Sequence, residues 1–534
     1  MATSADYDAL PPKEALLEVL EEPKDVKTLD DFMRMGRYCF LILIFAEFAL
    51  LAGAGNMIFM MYAGAVPNAV SCRGPEVFIE DLCATAFDYS NPPNCTVETK
   101  ADFVSVNVDF GYVCDAGNWV KTSISMQMLG VLFGTVIAGN LSDRLGRLRV
   151  LSFSFVFVAI FSVATAFSTN LLVFTVFRTI LGVFNGGLVG TYGVYKIEHV
   201  PRRHRFLVAT IVSWAPNMML LSVVAWWTQD WRTFQLAILV LSSPAALLYF
   251  FVNESPRWLI QRGRVAEARR VLRKIQKMDG AKESSKEELE KMLDNEQKIH
   301  EETLKQKKNY DMRDLFSTKY FTFITFVMLF GKVTTSLTTY GLIFNIEKLA
   351  GSIFINSLVM ASLRWVFNVS IGAIDYKCKS VGRKVVHFAA QFTIALCLLF
   401  IFGVFLLDGS SEYSWAVRIA SLIAMSTASQ VFITKSIVTV EFYPTMVRNS
   451  AIAIQSMASR IGTILAPQLF ILSPYRSIPY AVLSLVSLMD CLVFQASLPE
   501  TKNINLPDKV PDNSCSAKMN SVNSPLVPTG KSSA

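Results

Sequence analysis

Twelve apolar stretches, each long enough to cross a lipid bilayer, leave this chain almost no water-soluble fold to adopt. They run over 38–63, 119–139, 150–168, 171–193, 206–227, 233–252, 319–343, 352–374, 385–407, 414–438, 449–471 and 478–497. A spanning helix needs about 20 mainly apolar residues. Inside hydrocarbon every backbone polar group must be satisfied internally, which selects helices for segments of this length. Only 17% of the residues are charged, whereas soluble domains carry about a quarter. The expectation is an all-α membrane protein with twelve transmembrane helices.

Charge placement orients the chain. The connections 140–149, 196–205, 375–384 and 439–448 concentrate Lys and Arg, while the short connections on the other side offer Arg232, Lys348 and Arg476. The positive-inside rule puts the first set in the cytoplasm, and both termini with it. Residues 1–31 are acid-rich, unlike the basic start of a cleavable signal peptide, so the first apolar run is expected to act as an uncleaved anchor. The net charge of +7 then reflects loop topology. No basic, aromatic-interleaved patch points to nucleic acid.

Two interruptions organise the series. The loop 64–118 holds Cys72, Cys83, Cys95 and Cys114 and the sequon at Asn94. That combination fits an oxidising, glycosylating compartment, with two disulfides in any of three pairings. The Lys/Glu-rich segment 253–318 has helix-compatible stretches at Val265–Met278 and Lys286–Gln306. The expected organisation is a cytoplasmic tail 1–37, an N-terminal half 38–252, a linker 253–318, a C-terminal half 319–497 and a cytoplasmic tail 498–534. The last is Ser-, Asn- and Pro-rich and expected to be disordered.

A weak internal duplication relates the halves. Asp143-Arg144-Leu-Gly146-Arg147 follows the second stretch, and Gly382-Arg383-Lys384 follows the eighth. Glu254-Ser-Pro-Arg257-Trp258-Leu259 closes the sixth, and Leu498-Pro-Glu500-Thr501 closes the twelfth. With Glu441-Phe-Tyr443-Pro444-Thr445 and the long Cys-bearing loop, these motifs resemble the major facilitator superfamily over roughly 35–500. Within it, they resemble the organic cation and anion transporters of solute carrier family 22. The resemblance implies two six-helix halves around a central pathway, alternating access, the plasma membrane, and exchange against an intracellular anion. It also implies a gate built from Asp143, Arg144, Arg147, Glu254, Arg257 and Arg383, whose charges can meet neighbouring helix ends. Three features depart from the family pattern: Lys377 and Cys378 in the second copy, Asn253 before Glu254, and four loop cysteines where cation-transporting relatives have six.

Within the C-terminal half, Lys332, Arg364 and Arg460 each fall near the middle of a separate apolar stretch. A charge there costs roughly 2.5–3.5 kcal/mol or more, so it normally faces a cavity or a partner. Lys332, Ser336, Thr339 and Tyr340 form one helical stripe, repeated by Ser456, Arg460 and Thr463. Lys435 lies nearer the cytoplasmic end. Glu347, Glu441 and Asp490 sit toward stretch ends, too far to neutralise every cation. Arg178 is expected either to couple the site to closure or to be paired with Glu47. By resemblance, Lys332 and Trp214 line the central cavity, with Asn56 as a further candidate, and Arg460 stands where cation carriers have Asp. The expected cargo is a small organic anion held by Lys332, Arg364 and Arg460, with Lys435, Tyr340, Trp214 and Asn56 contributing. The alternatives are an organic cation or carnitine-like zwitterion carrier and, in another class, a non-transporting receptor or scaffold. No metal spacing, cofactor motif or phosphate-cradling loop supports enzyme chemistry. Oligomeric state is not encoded legibly.

Overall fold

The computed structural model describes residues 29–502 except 68, 74–77, 80–95, 113, 202–203, 205–207, 209–212, 281–286, 296, 298–315, 317–318, 379–380, 408–411, 444 and 474. Among the described residues, twelve helices occupy spanning positions. They are α1 (Arg37–Ala63), α2 (Asn118–Leu145), α3 (Arg147–Ala166), α4 (Leu171–His199), α5 (Trp214–Thr228) and α6 (Trp231–Ser242, continued by Pro244–Leu248). The second six are α7 (Lys319–Ile343), α8 (Ile353–Lys377), α9 (Arg383–Leu406), α10 (Ser414–Phe442), α11 (Thr445–Leu472) and α12 (Ile478–Ser497).

Several helices outrun their apolar stretches. α2 reaches Leu145, α4 reaches His199, and α10 and α11 nearly meet at Tyr443. Hydropathy registers the lipid thickness, whereas the helices continue into a layer of ion pairs. α6 breaks at Ser243, because Pro244 cannot donate the next helical hydrogen bond. Ten of the helices are apolar and long enough to span by composition alone. α11 is diluted by Arg448, Gln455, Ser456, Ser459 and Arg460. Phe133, Ile137, Phe153, Trp227, Phe250 and Leu407 point outward, an apolar belt suited to lipid.

Packing is tightest between α2 and α4. A methyl group at Gly130 would fall on the Thr179 carbonyl, and one at Gly134 on the Val183 carbonyl. Reciprocally, Gly182 abuts the Gln127 carbonyl and Gly186 that of Val131. Only glycine permits such backbone contact, which maximises dispersion where lipid offers no hydrophobic drive. The C-terminal half uses the same device at Gly462 against the Val333 carbonyl.

The 64–118 loop contains a small antiparallel sheet that the sequence reading did not assign. β1 (Ala69–Arg73) lies between β2 (Phe78–Ile79) and β3 (Thr96–Lys100), with Cys72 opposite Val97. Cys114 is disulfide-bonded. Asn94, Cys83 and Cys95 lie outside the described residues. In the linker, Pro256–Gln261, Val265–Asp279 and a helix over 287–295 build a satellite core from Trp258, Leu259, Ala268, Leu272, Leu289 and Leu293. Asp279 of this bundle accepts the Tyr38 N–H at 3.0 Å. The first spanning helix is thereby capped by the linker, since Gly36 has no side chain to do it.

Candidate functional site

The polar stripe on α7 faces inward. Lys332 is 8% exposed, and its Nζ donates to Ser436 Oγ of α10 at 2.9 Å. The same ammonium stands 5.8 Å from the centre of the Phe432 ring, within cation–π range. Ser336 shares a 2.6 Å hydrogen bond with Ser459 of α11, one residue before Arg460. Thr339 is satisfied by the Thr335 carbonyl, and Tyr340 packs on Phe344.

Arg364 projects from α8 toward both halves. It donates to the Met425 carbonyl at 3.3 Å and contacts Met218 Sδ of α5 at 3.6 Å. Its Nε has no partner, and neither does the buried Nε of Arg460. Among the described residues no carboxylate lies in ion-pair range of Lys332, Arg364 or Arg460. Tyr192 of α4, which the sequence reading did not single out, lies near Trp214 and within electrostatic reach of Glu47 in its own half and of Arg460 in the other. Nothing in its local sequence distinguishes it from the other tyrosines of the helical stretches.

Three expectations are corrected. Lys435 is fully buried and donates to Asp490 at 2.6 Å, to Thr335 Oγ1 and to the Gly331 carbonyl. Its charge is therefore met within the C-terminal half, because α12 brings Asp490 across to α10. Asn56 does not line an open chamber. With Gln127 and Gln235 it binds the Arg178 guanidinium, which also stacks on Phe59. Arg178 is thus held by amides, not by Glu47, whose Oε1 accepts from Asn217 at 2.7 Å. Helix rotation, invisible in linear spacing, decides all three outcomes.

The duplicated motifs form matching structures at the basic end of the bundle. Arg147 pairs with Asp143 and, at 3.3 Å, with Glu198. Glu254 Oε1 accepts the backbone N–H groups of Arg147 and Leu148 at 2.9 and 3.0 Å, capping α3. Arg257 donates to the Glu198 carbonyl, while Arg144 is exposed. In the second copy Arg383 pairs with Glu441 at 3.0 Å, and Glu500 accepts from the Arg383 and Lys384 N–H groups, capping α9. Burial works against the Glu500 charge, yet these backbone donors hold its carboxyl below the ordinary value.

Each of these ion pairs lies within one half. The bonds between halves lie elsewhere. At the cysteine-loop end, Lys121 of α2 donates to Asn345 Oδ1 at 2.7 Å and to Glu347 at 3.1 Å. Its side chain is 3% exposed and that of Glu347 5%. Ser125 donates to the Ile464 carbonyl, Gln468 donates back to Ser125, and Tyr62 bonds Ser357. Between described residues, every inter-half hydrogen bond or ion pair is at this end or mid-bundle, where Ser362 meets Met219 and Arg364 meets Met218.

Comparison with known proteins agrees with this architecture. Residues 94–508 match the family described as "Sugar (and other) transporter". The Organic cation/carnitine transporter 2 of Rattus norvegicus is 28% identical over 82% of this chain and 76% of its own. Solute carrier family 22 member 6-A of Xenopus laevis is 28% identical over 80% and 74%. The inward open conformation of the xylose transporter XylE from E. coli superposes with a TM-score of 0.61 at 16% identity, covering 88% of this chain and 98% of that one. The chain therefore belongs to the sugar (and other) transporter family of the major facilitator superfamily, in its solute carrier family 22-like part, as a multi-pass membrane transporter and not an enzyme.

Proposed function

We propose that this transporter carries small organic ions that bear a carboxylate, a carnitine-like zwitterion ahead of a plain organic anion. The observation that carries the reading is the set of three mid-bundle cations, Lys332, Arg364 and Arg460, with no carboxylate beside them among the described residues. Charged groups withdrawn from water are costly without a counter-charge, and a substrate carboxylate supplies one. Two observations favour the zwitterion. Relatives are named organic cation/carnitine transporters, and the Glu47 carboxylate and the Arg460 guanidinium both lie within electrostatic reach of Tyr192. A carboxylate would sit at Arg460 and Lys332, and an ammonium group toward Tyr192, Trp214 and Glu47, where aromatic faces favour it. This reverses the order expected from sequence, which put plain anions first and the carnitine-like zwitterion among the alternatives.

The carrier works at the plasma membrane with the basic end cytoplasmic. Bonds between halves at the cysteine-loop end then make this the state closed to the outside. The test is uptake of labelled carnitine, p-aminohippurate and tetraethylammonium by cells expressing the chain. The expected order is carnitine, then p-aminohippurate, then tetraethylammonium. Arg460→Asp removes uptake of the two carboxylate-bearing probes at unchanged surface expression. Transport of tetraethylammonium alone, or full activity in the variant, defeats the reading.

A further inference from the structure

The buried cluster of Lys435, Asp490 and His387 stands outside the substrate site and is more than a closed ion pair. Lys435 and Asp490 are bonded at 2.6 Å. His387 Nε2 lies 3.7 Å from the same Asp490 oxygen, and neither ring nitrogen of His387 has a hydrogen-bond partner. The imidazole is stacked on Phe494, ring centres 3.7 Å apart, so its plane is fixed. A fully buried imidazole with both nitrogens idle, held beside a carboxylate, is costly unless it is used.

Its position suggests the use. Counting 1.5 Å per residue from the basic ends of their helices, His387 lies about 6 Å deep, Asp490 and Lys435 about 10 Å, and Lys332 about 20 Å. The groups form a ladder from the basic face to the candidate carboxylate site, and Lys435 lies within electrostatic reach of Lys332. The polar surroundings are few. α7 offers the Gly331 carbonyl, Thr335 and Lys332, α9 offers His387 and Gln391, α10 offers Thr439, and α12 offers Cys491 beside Asp490. A side chain at Gly331 would strike both Lys435 Nζ and Asp490 Oδ1, so glycine keeps room for the pair.

We propose that His387, Asp490 and Lys435 form a proton-binding site that couples carboxylate transport to proton movement, a proposal that rests on the carboxylate reading above. The step is a proton transfer only. A proton enters on one His387 nitrogen, leaves from the other, and forms an O–H bond on Asp490, whose carboxylate stops neutralising Lys435. The cluster gains one positive charge, and Lys435 then adds to Lys332 in attracting the substrate carboxylate. By reciprocity, bound carboxylate favours protonation to the same degree. Proton and carboxylate therefore travel together, and the Lys435 ammonium survives throughout.

The experiment uses the full chain in proteoliposomes containing a pH-reporting dye, with labelled carnitine and p-aminohippurate as probes. In wild type an inward probe gradient acidifies the lumen, and uptake at about pH 5.5 exceeds that at about pH 8.5 by roughly tenfold. Asp490→Asn with Lys435→Gln, which removes both charges together, flattens the pH profile and stops the proton signal while probe–probe counterflow persists. His387→Gln leaves the ion pair intact and slows or shifts the proton response. If the double variant does not reach the membrane, His387→Gln decides alone. Counterflow with a flat wild-type profile, or a pH profile unmoved by His387→Gln, overturns the coupling. Absence of counterflow for both probes in wild type overturns the carboxylate reading instead, and this proposal with it.

Discussion

The two ends of the bundle hold their charges differently. At the cysteine-loop end, Lys121 and Glu347 come from opposite halves and are almost fully buried. At the basic end, Arg147 with Glu198 and Arg383 with Glu441 each belong to one half. Glu254 and Glu500 there cap helices of their own half. The difference assigns the work. Buried pairs across the seam hold a conformation, and pairs inside a half hold its shape. The resemblance had placed the gate in the Asp143 and Arg383 motifs. In this state the bonds across the seam between described residues are at the other end or mid-bundle.

Breaking the seam should have the largest effect. Removing one partner of a buried ion pair costs about 3–5 kcal/mol. Lys121→Gln or Glu347→Gln should therefore lower uptake at least tenfold at normal surface expression, and the swap Lys121→Glu with Glu347→Lys should restore much of it. Wild-type uptake in either single variant would end the distinction between the two ends. A cap inside one half is worth less. Glu254→Gln should cost about 1–3 kcal/mol of stability, read as a lower unfolding temperature in detergent, with the apparent KM unchanged. A changed KM at preserved stability would return Glu254 to the gate.

The smallest effect concerns Glu500. Its carboxyl is held below the ordinary value when folded, so its contribution is fully present above the usual carboxylate range, near pH 4.3. That contribution is lost as pH falls through the folded value. Between about pH 5 and pH 3 the unfolding temperature should therefore fall more for wild type than for Glu500→Gln. Parallel curves would show that the backbone donors do not stabilise the charge.

Helices were legible because lipid leaves an apolar run few alternatives, so each expected stretch has a helix in place. The duplication was legible too, since Glu254 and Glu500 recur at equivalent helix ends and cap equivalent helices. Partners were not. Lys435 and Asp490 are 55 residues apart, and whether their faces meet depends on how α10 and α12 rotate. Arg178 illustrates the same limit: the sequence supplied an acid, Glu47, and the fold supplied three amides. The Lys121 bridge was missed because Lys121 opens a helix, where an amine ordinarily meets water. Its burial comes from the Asn345–Lys348 turn of the other half folding over it.

One element reaches both ends. α2 begins with Lys121 in its first turn and finishes with Asp143 in its last, a length of about 42 Å. Its glycines clamp it to α4 backbone to backbone, which makes the pair a stiff rod. A tilt that unlatches one tip must swing the other in the opposite direction. Opening one mouth and shutting the opposite one are then a single displacement. An antibody that pins the Cys-bearing tip would arrest the far face as well.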